Sequence, residues 1–369
     1  MNKKLIIILV IFLSIPIALI SCSLRPSKLL QYNERDSSNE IASDLIVVGF
    51  SQLGSESDWR TANTKSIQSA LTEENGFFLI YSNGRQKQEN QIKDVRRFIF
   101  QEVDYIVIAP VTETGWDTVL TEAREAGIPV IIVDRMIDTE DDSLYVTCVG
   151  TDKYKEGRRA GQWLENYLEK KINMNDAAQG KETIGNASLT GEEVGQTGDE
   201  QDIDTINIVI LEGTLNSTAQ IGRSKGFEDI AKSHSNWHIL AKESGEFTKA
   251  KGKEVMKKFL QEYEDIDVVV SQNDDMTFGA IEAIQEAGLT CGVKGEITII
   301  SFDAVSEAFD KMEEGLINVD IECNPLQGPL IAEIIKCLEN GEEVDRAYFV
   351  EERVFEAENA SVERIGRSY

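Results

Sequence analysis

Polar and aromatic side chains follow the apolar runs of this sequence, at the points where those runs end. They are Gln52, Glu56, Trp59 and Arg60 after LIVVGF, Asp134 and Arg135 after PVIIV, Asn216 after INIVIL, Asn273 after the run ending at Ser271, and Asp303 after the run ending at Phe302. A carboxylate accepts hydrogen bonds, a guanidinium donates them, and an amide does both. Such a set suits a ligand covered with hydroxyl groups, because each hydroxyl both donates and accepts.

A sugar fits this chemistry in two ways. Charge-assisted hydrogen bonds are stronger than neutral ones, and the arginine fork fixes their direction. The apolar face of a sugar ring packs on an aromatic ring, which Trp59 or Trp116 would supply. Each group also has an ordinary structural interpretation, since Trp59 would suit a core and Asp134 with Arg135 would suit an ion pair. The position at a strand end favours the ligand interpretation of the Asp–Arg pair.

Motifs of enzymes and cofactor-binding proteins are scarce. No GxGxxG follows a predicted strand and no GxxxxGK[ST] occurs, so dinucleotide and Walker phosphate sites lack their glycines. The two histidines, His234 and His238, are too few for a multi-histidine metal centre. Asp274 and Asp275 would suit a glycosidase pair, yet adjacent acids at a strand-to-helix turn are more simply a helix N-terminus. We therefore expect no cofactor, no metal and no enzymatic activity, with an extracellular glycosidase as an alternative.

The composition bounds the size and the partners of the protein. The chain has 369 residues, of which 41% are apolar, so two domains with buried cores are expected. Lys and Arg total 37 against 65 Asp and Glu, which gives a net charge of -28. A surface this acidic repels nucleic acid, so we expect no nucleic-acid partner.

Short β-branched runs alternate with longer amphipathic segments from Leu45 onward. One series of predicted strands and helices covers residues 45–171, and a second covers residues 206–302. Continuous apolar strands separated by helices are typical of a parallel sheet covered on both faces. We therefore predict an α/β fold of two doubly wound parallel-sheet domains, with ligands bound beyond the carboxyl ends of the strands.

The first residues predict export and lipidation. Two lysines precede an apolar run over residues 5–20, and the string LISC that ends at Cys22 resembles a bacterial lipobox. Residues 1–21 would be a signal peptide, Cys22 would be lipidated, and residues 22–44 would be a flexible tether. An uncleaved membrane anchor is the alternative, although Pro16 and the short run disfavour it. Either way the domains would lie outside the cytoplasm, attached to the bacterial cell membrane.

An acidic segment and four cysteines complete the features of the sequence. Residues 173–205 carry eight acidic residues and one lysine with little apolar periodicity, and we expect a solvated, mobile insertion. Cys148, Cys291, Cys323 and Cys337 have no CxxC spacing, so zinc and thioredoxin-like chemistry are not expected. They would either pair as disulfides, which an extracytoplasmic compartment permits, or remain buried free thiols.

Several longer strings resemble a known family. They are VGFSQLGSESDWR from Val48, QKQENQIKDVRRFI from Gln86, VDR from Val133, SQNDDMTFGAIEAIQEAG from Ser271 and ISFDAVSEA from Ile300. These strings resemble the bacterial sugar-binding proteins of ABC transporters, of the ribose/galactose type. VDR and QND mark the broad family, whereas GSESDWR and QKQENQ are most similar to its galactofuranose-binding branch.

The resemblance implies a type I periplasmic binding protein, whose two domains exchange strands through a three-strand hinge. The crossovers would lie near residues 148–151, 321–324 and 347–350. One lobe would comprise residues 45–149 and 324–348, and the other residues 150–323 and 349–369. A helix over residues 326–339 would return to the first lobe.

The resemblance also assigns ligand contacts. Asp134 and Arg135 would hold hydroxyl groups from one lobe, Asn273 and Asp303 from the other, and Gln52, Glu56, Trp59 and Arg60 match the first loop of the family. Glu322 or Asn324 would face the cleft near the second crossover. Ile221 stands where pentose-binding relatives place an arginine, which argues against ribose as the ligand.

The function implied is capture of a monosaccharide by hinge closure, without breaking a bond. The closed protein, which we expect to be a monomer, would deliver its sugar to an ABC permease in the membrane. A sensor of the same fold, coupled to a histidine kinase or chemoreceptor, is the alternative. An intracellular repressor of the same fold is disfavoured by the export signal and the acidic charge.

Overall fold

A computed structural model describes residues 45–178, 205–367 and 369 of the chain. The predicted signal peptide over residues 1–21, the lipidation site Cys22, the tether over residues 22–44 and most of the acidic segment, residues 179–204, lie outside the described residues. Among the helices of the described ranges, none is both long and apolar enough to span a bilayer.

Strands and helices alternate along the described chain. The first part contains β1 (Ile46–Gln52), α1 (Asp58–Ala70), β2 (Phe77–Asn83), α2 (Gln88–Phe100), β3 (Tyr105–Ile108), α3 (Asp117–Glu125), β4 (Val130–Asp134), β5 (Thr147–Gly150) and α4 (Lys153–Ala178). The second part contains β6 (Ile206–Glu212), α5 (Thr218–Ala231), β7 (Trp237–Ser244), α6 (Lys249–Glu262), β8 (Val268–Ser271), α7 (Asp274–Glu286), β9 (Thr298–Asp303), α8 (Ser306–Glu313), β10 (Val319–Glu322), α9 (Gly328–Glu339), β11 (Ala347–Phe349), β12 (Val354–Glu356) and α10 (Ala360–Glu363).

The first sheet has the order β11-β5-β4-β3-β1-β2, and its neighbouring strands run parallel. Its strands are apolar on both faces because helices cover both. Phe50 and Ile131 pack with Ile335 of α9 on one face. Ile132 and its neighbours pack with Phe98 of α2 on the other face. We call this sheet and its helices the first lobe.

The second sheet has the order β12-β10-β9-β8-β6-β7. Only its edge strand β12 is antiparallel to its neighbour, among the described strands. Ile299 packs with Val255 of α6 and Phe309 of α8 on one face. Ile300 packs with Leu164 of α4 on the other face. We call this sheet and its helices the second lobe.

The chain passes between the two sheets three times, after β5, after β10 and after β11. Two parallel-sheet α/β domains joined by three crossovers confirm the predicted fold class. The sequence periodicity did not predict α8 or the short strand β12. The helix predicted to end near Lys171 continues to Ala178.

The four cysteines in the described part of the chain are free thiols. Cys148, Cys291 and Cys323 are buried, and Cys337 is half-buried. Of the two alternatives left open by the sequence, the described residues therefore show the free thiols.

Candidate functional site

A small cavity lies between the two lobes. It is lined by Glu56, Ser57, Trp59, Arg60, Asp134 and Arg135 of the first lobe, by Lys153, Ala219, Arg223, Phe247, Asn273 and Asp303 of the second lobe, and by Cys323 on the second crossover. Most of these residues stand at the carboxyl ends of strands or in the first turn of the following helix. This is where ligands bind in open α/β sheets.

The turn before α1 sets the direction of two of the lining side chains. Ser57 is the N-cap of α1, and its hydroxyl accepts a hydrogen bond from the backbone N of Arg60 at 3.1 Å. Trp59 and Arg60 follow directly in the first turn, and both are buried. The cap fixes where the helix begins, so it also fixes where these two side chains point.

Three lining residues have left-handed backbone conformations. The φ angles are +67° for Asp134, +59° for Phe247 and +106° for Asp303. Such angles are uncommon outside glycine and persist where the surroundings enforce them, often at functional sites. Three such residues around one cavity make it a candidate functional site.

The first lobe contributes a dense charge network centred on Asp134. The Asp134 carboxylate contacts Arg60 Nη2 at 2.6 Å and Lys153 Nζ at 3.3 Å, with Arg135 Nε at 3.9 Å. Burial would raise the pKa of Asp134, but Arg60, Lys153 and Arg135 together hold that pKa well below its usual range. Burial and the charge of Arg60 lower the pKa of Arg135 to about 10, which still leaves Arg135 charged at neutral pH.

The second lobe contributes the buried side chain of Arg223. Its Nη2 contacts Asp303 Oδ1 at 3.0 Å, and its Nε contacts Glu156 Oε2 at 2.6 Å. Burial raises the pKa of Asp303, and the charge of Arg223 opposes that rise. The two salt bridges hold the guanidinium of Arg223 against the cavity wall.

Three buried polar atoms of cavity-lining residues have no hydrogen-bond partner in the protein. They are Nη1 of Arg60, Nε of Arg135 and Oε2 of Glu56. An unsatisfied buried group costs about 1–3 kcal/mol. Two donors and one acceptor left over in one cavity match a ligand whose hydroxyl groups both donate and accept.

Aromatic rings from both lobes complete the cavity. Trp59 lines it from the first lobe and Phe247 from the second. The Arg60 guanidinium lies 4.6 Å from the Trp59 ring centroid, and the Arg135 guanidinium lies 5.3 Å from that of Phe247. The cavity thus offers apolar ring faces beside charged hydrogen-bonding groups.

A possible metal-ligand set lies behind the cavity. Oxygen and sulfur atoms of Glu156, Cys323 and Glu352 come within 4.8 Å of one another. The Lys153 ammonium already lies 2.9 Å from Cys323 Sγ and 3.5 Å from Glu156 Oε1. This cation supplies the positive charge that the cluster needs, so the donor set does not fit a metal ion.

Comparison with known proteins agrees with this geometry. Residues 48–342 match the family described as periplasmic binding protein domain. The chain is 40% identical over 300 residues to the galactofuranose-binding protein YtfQ of Escherichia coli K12, covering 80% of this chain and 83% of YtfQ. The chain belongs to the periplasmic binding protein family. The resemblance drawn from the sequence strings is therefore confirmed.

Solved structures of this family superpose on the chain. A structure from Mycobacterium smegmatis in complex with β-D-fucofuranose is 39% identical with a TM-score of 0.74, covering 86% of this chain and 93% of that one. The binding protein of the arabinose ABC transporter of Shewanella sp. ANA-3, bound to arabinofuranose, is 39% identical with a TM-score of 0.74, covering 87% and 95%. Both structures contain a bound furanose sugar.

Most of the ligand-binding residues predicted from the sequence line the cavity between the lobes. They are Glu56, Trp59, Arg60, Asp134, Arg135, Asn273 and Asp303. Asn273 has a second task as the N-cap of α7, since its Oδ1 accepts from Met276 N at 3.0 Å. Trp116, the other aromatic candidate, lies in the core of the first lobe instead.

The structure places three other predicted ligand residues outside the cavity. Gln52 is buried, and its amide donates to Asn63 and Thr64 of α1 at 3.1 and 3.0 Å. Asn216 is exposed in the turn before α5. The carboxylate of Glu322 accepts hydrogen bonds from the backbone N of Arg353 and from the side chains of Arg367 and Tyr369.

Several lining residues were not predicted from the sequence. They are Ser57, Lys153, Ala219, Arg223, Phe247 and Cys323. The expectation that Ile221 replaces a ligand-facing arginine was wrong, because Ile221 is 40% exposed while Arg223, two residues later, lines the cavity. Ile221 therefore gives no reason to exclude ribose as the ligand.

One enzyme motif occurs in the chain without its structural context. Residues 222–226, GRSKG, have the GxSxG spacing of a nucleophile elbow. They lie inside helix α5 and not at a strand-to-helix turn. The hydroxyl of Ser224 donates to Glu212 at 2.6 Å. Because it lies inside a helix, this serine lacks the strand-to-helix turn that exposes a nucleophile.

Proposed function

We propose that the protein is a lipid-anchored extracytoplasmic binding protein that captures one furanose-form monosaccharide between its lobes and delivers it to an ABC importer. One observation carries the proposal. Arg60, Arg135 and Glu56 line a cavity between both lobes, and each has a buried polar atom without a hydrogen-bond partner in the protein.

The walls of the cavity support a single small ligand. Arg60, Asp134 and Arg223, which line it from both lobes, are all buried. An oligosaccharide would need a groove open at one end, whereas this cavity is bounded by buried side chains of both lobes.

Closure around the ligand is supported by the contacts that join the lobes. Asp58 N of α1 donates to Asp275 Oδ2 of α7 at 3.2 Å, and Met136 N donates to Thr218 Oγ1 of α5 at 2.8 Å. Contacts of this kind form only when the lobes approach each other. A sugar that bridges both walls would stabilise the closed form by its differential affinity for it.

The furanose form is supported by the relatives. YtfQ is named for galactofuranose, and the two superposed structures contain β-D-fucofuranose and arabinofuranose. The ring size of the ligand can be tested directly. We expect the anomeric carbon of bound ¹³C-labelled D-galactose or L-arabinose to show the NMR chemical shift of a furanose, whereas a pyranose shift would contradict this part of the proposal.

Sugar binding itself is tested by isothermal titration calorimetry and thermal shift against D-galactose, L-arabinose, D-fucose, D-fructose and D-ribose. A bound sugar raises the melting temperature by mass action. The absence of binding to every sugar in this panel would refute the proposed function. Uptake of labelled sugar should be lost when the gene is deleted; loss of sugar-dependent transcription with uptake intact would instead favour the sensor.

The lipid anchor is supported by the string that ends at Cys22. Two acyl chains hold a protein firmly at a bilayer, whereas one chain binds marginally. We expect the wild type to incorporate labelled palmitate and to sediment with membranes. A Cys22→Ser variant should do neither, and a variant that still takes up palmitate would refute the anchor.

A further inference from the structure

We infer that Arg367, which does not line the sugar cavity, is a positioning residue that holds the ligand-facing carboxylate of Asp303 in place. The inference rests on the proposed function, because Asp303 matters here as part of a sugar-binding wall. It assigns a binding role to the last segment of the described chain, far along the sequence from the other site residues.

The loop that carries Asp303 has an unusual backbone. Asp303 and Ala304 are consecutive left-handed residues, with φ angles of +106° and +57°. Neither is a glycine, so this conformation is disfavoured by the side chains themselves. Contacts from outside the loop must therefore maintain it.

Three side chains supply those contacts. Arg367 Nη2 donates to the carbonyl O of Ala304 at 2.7 Å. Asp320 Oδ1 accepts from Ala304 N at 3.0 Å, and Asp274 Oδ2 accepts from Val305 N at 2.8 Å. Arg367 is the single donor in this set, and it binds the carbonyl group directly after Asp303.

Arg367 is itself rigidly held. Its Nη1 donates to Glu322 Oε1 at 3.1 Å, and Glu322 lies opposite Asp303 in the register of β10 with β9. The guanidinium lies 4.7 and 4.8 Å from the ring centroids of Phe309 and Phe355. Its side chain is only 6% exposed. A planar guanidinium fixed on two sides makes one directional bond to the loop.

The consequence reaches the cavity through Asp303. The Asp303 carboxylate contacts Arg223 Nη2 at 3.0 Å on the cavity wall. When the Ala304 carbonyl loses its donor, the loop is free to leave its left-handed conformation. That change turns the Asp303 carboxylate away from Arg223 and from the sugar. It also explains why Glu322 stands at a strand end without touching the cavity.

The test compares three variants by titration calorimetry with D-galactose and L-arabinose on the full chain. We expect Arg367→Met to weaken affinity by about tenfold or more, and Arg367→Lys to lie between it and the wild type, because a lysine makes one of the two contacts. Arg364→Met is the matched control, because Arg364 pairs with Asp310 and Glu313 on the surface. It should change affinity by less than about twofold.

A rescue experiment separates positioning from general stabilisation. Glycine adopts left-handed angles without penalty, so Ala304→Gly in the Arg367→Met background should restore much of the affinity. If Arg367 only stabilises the fold, its loss lowers the melting temperature while affinity stays near wild type, or glycine at 304 weakens binding further. Either result overturns the inference. Where Arg367→Met fails to fold, Arg367→Lys with and without Ala304→Gly provides the same comparison of affinity and melting temperature. A wild type that binds no sugar would instead refute the proposed function.

Discussion

Closure of the lobes should take up a proton at Asp275. This side chain sits in the first turn of α7 and accepts a hydrogen bond from Asp58 N across the cleft. Burial raises the pKa of Asp275 to about 7, and the neighbouring carboxylates of Asp58, Glu56 and Glu307 add to the rise against the Asp58 backbone bond. Lys249, which is paired with Glu282, is a cation close enough to interact with the Asp275 carboxylate.

The sign and size of the effect follow from the two conformations. With the lobes apart, Asp275 would be exposed and have the ordinary aspartate pKa of about 3.9. The closed form therefore binds a proton that the open form has lost, and rising pH favours the open form until the pH passes the closed-state value. Affinity should fall by up to about tenfold per pH unit in this window, or up to about seventyfold between about pH 5 and pH 7.5.

Titration calorimetry across about pH 5 to pH 8 measures this dependence. Buffers of different ionisation enthalpy should reveal proton uptake on binding at the acidic end. Asp275→Asn should flatten the profile and tighten binding above neutral pH. Asp117→Asn is the matched control, because Asp117 begins α3 as an exposed residue.

A wild-type profile parallel to that of Asp275→Asn would refute the reasoning. Asp303 is also a buried carboxylate whose pKa is raised. Its contribution to the pH dependence of affinity is the same in the wild type and in Asp275→Asn. The difference between the two profiles therefore isolates Asp275.

Three further predictions concern the cavity and its distance from the acidic segment. Arg135→Ala should abolish sugar binding with an unchanged circular dichroism spectrum, and affinity within a few-fold of wild type would make Arg135 merely structural. Gly213→Ala should weaken binding in calorimetry, because a Cβ there overlaps the Phe247 ring and displaces it, whereas undiminished affinity would remove Phe247 from the wall. Deleting residues 179–204 should leave the sugar affinity unchanged. The reason is that α4 begins at the cavity and its 26 residues extend away from it for about 39 Å. A large loss of affinity would place the deleted segment at the cavity.

Local rules predicted much of the fold and a large part of the cavity. Continuous apolar runs can only be buried as strands with helices on both faces, so the sequence determined two parallel-sheet lobes. Parallel strands present their carboxyl ends at one edge of a sheet, so Asp134 and Arg135 could be placed at the ligand edge of one lobe and Asp303 at that of the other from their positions alone. The family strings added the crossovers, which periodicity does not encode.

The tertiary structure decided which side chains at that edge face the ligand. Gln52 ends a strand as Asp134 does, yet it turns to Asn63 and Thr64 of α1. Arg223 and Phe247 reach the cavity from a helix and a left-handed loop, where no strand-end rule applies. The physical reason is that a cavity between two lobes is formed by contacts between distant segments, whose facing directions depend on how the lobes pack and close, and no local pattern in the chain specifies that.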